Sequence, residues 1–226
     1  MKESILTNRK VQLAFRLVTA LSFTLFTAYQ VYLAINIETN RIGRLIGIGF
    51  YLLITVASFL DFSEKDSAWL AHSVLMVAGL FLLFGIRLFN APAIFGYLNF
   101  ANPASVLYFA VYILSQLGTL LLAAGYLMLT VDLTQSQMQK LTVVLMSVTI
   151  ALYAVCFIME CVLMIKYRMN IDLGLKSTLF SRLLYFLGFA GAAFCFMLPA
   201  PNIDSKVEEG KFVYSNGDDD EIDIII

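Results

Sequence analysis

The sequence predicts an all-α integral membrane protein, a six-helix transmembrane bundle with a short acidic C-terminal tail. Six long apolar runs, separated by short polar connections, occupy most of the 226 residues. Hydrophobic residues make up 60% of the chain and charged residues only 14%, and the mean hydropathy is +0.83. A soluble domain of this length could not bury so much apolar surface in its own core, whereas a bilayer accepts it directly.

The spans follow from the thickness of the hydrocarbon core, about 30 Å, which roughly 20 apolar residues of helix can cross. Together they make one transmembrane domain, residues 1–198, and leave residues 199–226 as an acidic tail outside the membrane. The predicted spans are 11–36, 42–60, 68–89, 106–131, 141–165 and 179–198.

The first two spans carry charge only near their ends. Lys2, Arg9 and Lys10 precede the first apolar run. This run is far longer than the hydrophobic region of a signal peptide and ends without a small-residue cleavage site, so we expect an uncleaved helix. The second span is the shortest, and Arg44 within it can reach the headgroups through its long side chain.

The remaining four spans are also free of charge in the middle. His72 lies one turn into the third span, Arg87 lies near the end of that span, and Glu160 lies five residues before the end of the fifth. The fourth span has no charged residue. Ionisable groups within a membrane span are costly and are therefore candidates for function.

Two connections are longer than the rest. Residues 90–105 are uncharged and contain two prolines and three aromatic residues, a composition typical of a loop at headgroup depth, with a functional re-entrant segment as the alternative. Residues 166–182 are basic and partly apolar, which is typical of a segment resting on the membrane surface. Cations that only set topology are an equally good interpretation of the second connection.

The positive-inside rule gives a weak orientation. Eight Lys and Arg residues lie on the amino-terminal side of the six spans and seven on the opposite side. Around the first span alone, four cations precede and two follow, which favours both termini in the cytoplasm. The basic fifth connection favours the opposite orientation. We predict a multi-pass protein with cytoplasmic termini.

The tail contains a turn signal and an acidic run. Asn216-Gly217 is typical of a hairpin turn between strands at 212–214 and 221–226. The run 218–221 lacks the spacing of an EF-hand and is best interpreted as a solvated acidic segment. A protein partner that contacts this tail is one hypothesis for its role.

Polar residues inside the spans fall on single helix faces. Spacings of three and four residues turn each face toward the bundle. Such faces can line a cavity for a solute, or can serve interhelical hydrogen bonds, which are typically worth about 0.6 kcal/mol each; we favour packing. The faces consist of Arg16, Thr19, Thr27 and Gln30 in the first span, Tyr112, Gln116, Thr119 and Tyr126 in the fourth, and Thr149, Tyr153, Cys156 and Glu160 in the fifth.

The sequence offers no ligand set for a metal or a cofactor. The chain has one histidine, His72, and three cysteines, Cys156, Cys161 and Cys195, without zinc or haem spacing. We predict no metal, no cofactor and no catalytic residue, and interpret His72 as structural, with a proton relay or a catalytic base as the alternatives. The net charge of −1 excludes a strongly basic nucleic-acid binder.

Depth in the membrane suggests one specific contact. The third and fifth spans run in the same direction, so Arg87 and Glu160 lie near the same side of the bilayer. A carboxylate at that depth is either neutral or paired. We predict an ion pair between Arg87 and Glu160 that ties the two helices together.

Two patterns of small residues predict close helix contacts. Gly43 and Gly47 in the second span, and Gly188 and Ala192 in the sixth, are each separated by three residues, the spacing that lets helix backbones approach. These patterns bear on assembly and not on activity.

Three functional hypotheses remain from the sequence. The first is a non-enzymatic subunit, assembly factor or scaffold of a membrane complex. The second is a small-solute transporter or channel that uses the polar faces of the first, fourth and fifth spans. The third, a lipid-active enzyme with His72 or Glu160 as base, has the least support. The candidate substrate-binding residues are Gln30, Gln116, Tyr153, Glu160, Arg87 and His72.

Overall fold

The computed structural model describes residues 9–37, 41–63, 66–130, 136–169, 171, 174–198, 211–212 and 224–225. Within these ranges it confirms the predicted six-helix fold, with six helices long and apolar enough to span a membrane. The elements are α1 (Arg9–Asn36), α2 (Arg41–Leu60), α3 (Asp66–Phe89), α4 (Ala91–Gly96), α5 (Pro103–Thr130), α6 (Ser136–Lys166), α7 (Leu175–Phe196), β1 (Lys211–Phe212) and β2 (Ile224–Ile225).

The six long helices form a closed ring. Each packs against its neighbours along the chain, and α7 packs against α1 to complete the circle. Short connections make consecutive long helices antiparallel. The carboxyl ends of α3 and α6 therefore meet the amino ends of α5 and α7 on one side of the bundle. We call this side the cavity end, and the opposite side the amino-terminal end.

The centre of the ring is filled with aromatic and aliphatic side chains. Phe23, Tyr153 and Phe189 are almost fully buried there, and the rings of Phe23 and Phe189 meet edge to face with centroids 5.2 Å apart. The outer faces of the long helices expose many large apolar residues. Such a surface suits lipid contact, as expected of a multi-pass membrane protein.

The connection between α3 and α5 contains a short helix. The six residues of α4 are too few to cross a bilayer, and a proline lies in the first turn. Phe89, Tyr97 and Phe100 around it are 84%, 79% and 81% exposed. Exposed aromatic rings at the end of a span are typical of headgroup depth.

The two small-residue patterns differ in their surroundings. A Cβ added at Gly188 would lie 2.9 Å from Cε1 of Phe23, so α1 and α7 approach each other closely at this glycine. Ala192, one turn further along α7, is also buried. A Cβ added at Gly47 would meet no atom within 4 Å, so the structure shows no close helix approach there.

Most of the tail lies outside the described residues, including Asn216-Gly217 and the acidic run 218–221. The described parts are β1 and β2, which pair antiparallel with Lys211 opposite Ile225 and Phe212 opposite Ile224. A partner for the tail stays a prediction.

Candidate functional site: a polar cavity between four helices

A cavity of about 280 Å³ opens among the helices at the cavity end. Two arginines, one glutamate, three tyrosines and one glutamine border this cavity. The cavity is lined by Arg87 and Asn90 at the end of α3, Ile94 of α4, Tyr108, Val111, Tyr112, Ser115 and Gln116 of α5, Glu160 of α6, and Arg182 and Tyr185 of α7.

Arg87 connects four helices at this site. Its Nη1 donates to the hydroxyl of Tyr185 at 2.9 Å, and its Nη2 donates to the hydroxyl of Tyr51 at 3.0 Å. Its backbone oxygen accepts a hydrogen bond from Tyr112 at 2.5 Å. The guanidinium also lies over the ring of Tyr185, 5.4 Å from the centroid. Tyr51, Tyr112 and Tyr185 thereby fix the position of a cation beside the cavity.

The structure corrects the predicted ion pair of Arg87 with Glu160. Glu160 pairs with Arg182, at 3.5 Å between Oε2 and Nε, while Arg87 contacts tyrosine hydroxyls. The two predicted partners do border the same cavity, so the argument from depth was sound. The predicted partner of Glu160 was wrong because α7, not α3, is a neighbour of α6 in the ring, and α7 places Arg182 beside Glu160.

Gln116 is a buried polar side chain without a protein partner. It is 7% exposed, and both Oε1 and Nε2 lack a hydrogen-bonding group within reach. An unsatisfied buried polar group costs about 1–3 kcal/mol, so native proteins normally pair such groups or hydrate them. Because Gln116 borders the cavity, a molecule inside the cavity is the natural partner for its amide.

Tyr153 lies deeper than the cavity. Its hydroxyl shares a hydrogen bond of 2.9 Å with Oγ1 of Thr119, one turn along α5 from Gln116. Its ring packs against Phe189 at 5.2 Å between centroids. These contacts lie one helical turn beyond Gln116, toward the amino-terminal end. The sixth candidate, Gln30 on α1, does not belong to the cavity lining.

A second polar cluster occupies the amino-terminal end. Arg16 of α1 pairs with Asp61, just past α2, at 3.2 Å between Nε and Oδ2, and its Nη1 donates to the Asp61 backbone oxygen at 3.4 Å. Burial raises the pKa of the Asp61 carboxyl above its ordinary value, although the charges of His72 and Arg16 oppose this rise.

His72 belongs to this second cluster and not to the cavity. Its Nδ1 donates to the backbone oxygen of Ala57 at 2.7 Å, since a carbonyl oxygen can only accept. Its ring meets that of Tyr126 edge to face at 5.4 Å, and Tyr126 donates to the backbone oxygen of Ala192 at 3.1 Å. Among the described residues, no group of three or more His, Cys, Asp or Glu side chains is placed to hold a metal ion.

Sequence reasoning did not identify Asp61 as the partner of Arg16, or Tyr51 and Tyr185 as the partners of Arg87. The same depth argument could have found Asp61. Asp61 follows the end of the second span, Arg16 lies near the start of the first span, and consecutive spans are antiparallel, so the two residues lie on the same side of the membrane. The tyrosines carry no comparable signal, since aromatic residues are frequent throughout the spans.

Comparison with protein-family models, with curated proteins and with solved structures gives no match for this chain.

Proposed function

We propose that the protein is a small-solute transporter whose substrate site is the cavity between α3, α5, α6 and α7. The observation that carries this proposal is Gln116, a buried amide that borders the cavity and has no protein partner. A binding site uses such a group to orient its ligand.

A polar path continues from the cavity through the ring. Tyr112, Gln116, Thr119 and Tyr126 follow the inner face of α5, each making the inward contacts described above or bordering the cavity. From Tyr112 to Tyr126 the path extends about 21 Å, at a rise of 1.5 Å per residue. It ends beside His72 in the second polar cluster. One helix therefore offers polar groups along most of a hydrocarbon core.

In this proposal the site is closed toward the amino-terminal end. The barrier would be the hydrogen bond between Thr119 and Tyr153 together with the ring of Phe189, which packs against Tyr153. In a transporter this barrier opens in a second state, in which the same site faces the other side of the membrane. A water-soluble reagent can then reach position 116 from one side of the membrane in the first state and from the other side in the second.

Cysteine labelling tests this without knowledge of the substrate. Cys156, Cys161 and Cys195 are free thiols and would first be replaced by alanine. We expect Gln116→Cys in this background to react with a small charged methanethiosulfonate added to either side of oriented vesicles. The matched control is Leu117→Cys, because Leu117 is adjacent and 43% exposed on the outer surface. We expect no reaction at position 117, where lipid covers the thiol.

Labelling at position 116 from one side only would contradict transport, and no labelling from either side would contradict the solute site itself. Ser115→Cys supplies a second position in the cavity lining for the case that Gln116→Cys does not accumulate.

A further inference from the structure

We infer that the cavity selects a small organic monoanion, with the acid group on Arg87 and a neutral polar group on Gln116. This rests on the proposed solute site and adds the chemical class of the substrate. Three observations support this inference: the contacts of Arg87, the amide of Gln116 and the volume of the cavity.

The charge of the cavity comes from Arg87. Two arginines and one glutamate line the cavity, which gives a formal charge of +1. Arg182 and Glu160 pair with each other. Within the described part of the chain, no carboxylate lies within ion-pair distance of Arg87, whose side-chain hydrogen bonds go to two tyrosine hydroxyls. The guanidinium is half-buried and its hydrogen-bond partners are neutral, so the site is complementary to one negative charge.

The guanidinium is free to bind that charge while remaining fixed in place. Arginine has five N–H donors, and the hydrogen bonds to Tyr51 and Tyr185 occupy two of them. A planar carboxylate can accept hydrogen bonds from two of the three remaining donors, and charge-assisted bonds of this kind are roughly twice as strong as neutral ones.

Gln116 supplies the second determinant. Its amide offers one acceptor and two donors, all without a protein partner. A ligand with a hydroxyl or amide group would satisfy them, whereas a purely apolar acid would leave them unpaired. The site should therefore prefer a hydroxy acid to the corresponding unsubstituted acid.

The volume limits the size of the ligand. The cavity volume of about 280 Å³ lies just below the range of ligand pockets, which starts near 300 Å³. A short-chain acid fits such a volume, and a dinucleotide does not.

The test uses lactate and its neutral analogues on the full chain in nanodiscs of neutral lipid, with ligand-observed NMR titration as the readout. We expect lactate to bind at least about tenfold more tightly than lactamide, which has the same shape without the charge. We also expect lactate to bind more tightly than propionate, which lacks the hydroxyl group.

Two substitutions assign these preferences to residues. Arg87→Gln should abolish the preference for lactate over lactamide, and Gln116→Leu should abolish the preference for lactate over propionate. Gln30→Leu is the matched control, since it removes a glutamine from α1 outside the cavity lining, and should change neither. If Arg87→Gln does not fold, Arg87→Lys keeps the charge and should retain the preference for lactate over lactamide with weaker binding.

Repeating the titration in nanodiscs with phosphatidylserine distinguishes two sources of the anion. Competition by this lipid would assign the Arg87 site to an acidic headgroup, and unchanged lactate binding would assign it to a soluble acid. Equal binding of lactate and lactamide, or binding of none of the three probes, would overturn the inference. Labelling at position 116 then decides separately whether the solute site itself stands.

Discussion

Replacing Asp61 by alanine is expected to lower the free energy of unfolding by about 3–5 kcal/mol, the usual cost of breaking a buried ion pair by removing one of its partners. Arg16 is 5% exposed and meets Asp61 through both its Nε and its Nη1. The pair joins the start of α1 to the end of α2 at the amino-terminal end of the ring. Unfolding by dodecyl sulfate in mixed micelles measures the loss.

A double-mutant cycle with Arg16→Ala separates the pair from its surroundings. We expect the double mutant to lose less than the sum of the single mutants, because each single substitution already removes the ion pair and the second cannot remove it again. Lys176→Ala is the control: this exposed lysine should change stability by less than about 0.5 kcal/mol. Additive losses at Arg16 and Asp61 would show that the contact is not energetically coupled.

Gly188→Ala is expected to destabilise the protein by about 1–3 kcal/mol, the usual cost of overpacking a core. The added Cβ would lie 2.9 Å from Cε1 of Phe23. That ring is fully buried and packs against Phe189, so it cannot move aside without disturbing the centre of the bundle.

Gly47→Ala is the matched control for this prediction. It makes the same change in the same type of helix, but into open space. We expect stability to be unchanged or raised by up to about 1 kcal/mol, the difference in helix propensity between glycine and alanine. Equal losses at the two positions in the same unfolding assay would contradict the packing described for α1 and α7.

The six helices were predictable because each apolar run is long enough to cross a bilayer and is bounded by polar residues. The boundaries moved where local hydrogen bonding extends a helix. The helix α7 begins at Leu175 and not at 179, and the backbone N–H of Thr178 donates to the backbone oxygen of Gly174 at 3.0 Å in its first turn.

The depth of the site residues in the membrane was predictable from the sequence, but the rotation of each helix about its axis was not. Hydropathy places Arg87 and Glu160 near the same side of the membrane, and the structure puts both at one cavity. Which cation meets Glu160 depends on the order of helices around the ring and on the rotation of each about its axis. Neither is encoded in the length of an apolar run, so Arg182 was overlooked as the partner. The polar face of the fourth span turns toward the bundle as predicted: Tyr112, Thr119 and Tyr126 make interhelical hydrogen bonds, and Gln116 borders the cavity.

A cryo-EM map of the full chain in lipid nanodiscs, with lactate present, tests the central claim most directly. The account predicts density larger than a water molecule in the cavity, within about 3.2 Å of the Gln116 amide and of the Arg87 guanidinium. It predicts that this density disappears in Gln116→Leu, while the contacts of Arg87 with Tyr51 and Tyr185 remain. A cavity closed by side chains, with the Gln116 amide hydrogen-bonded to protein groups, would contradict it.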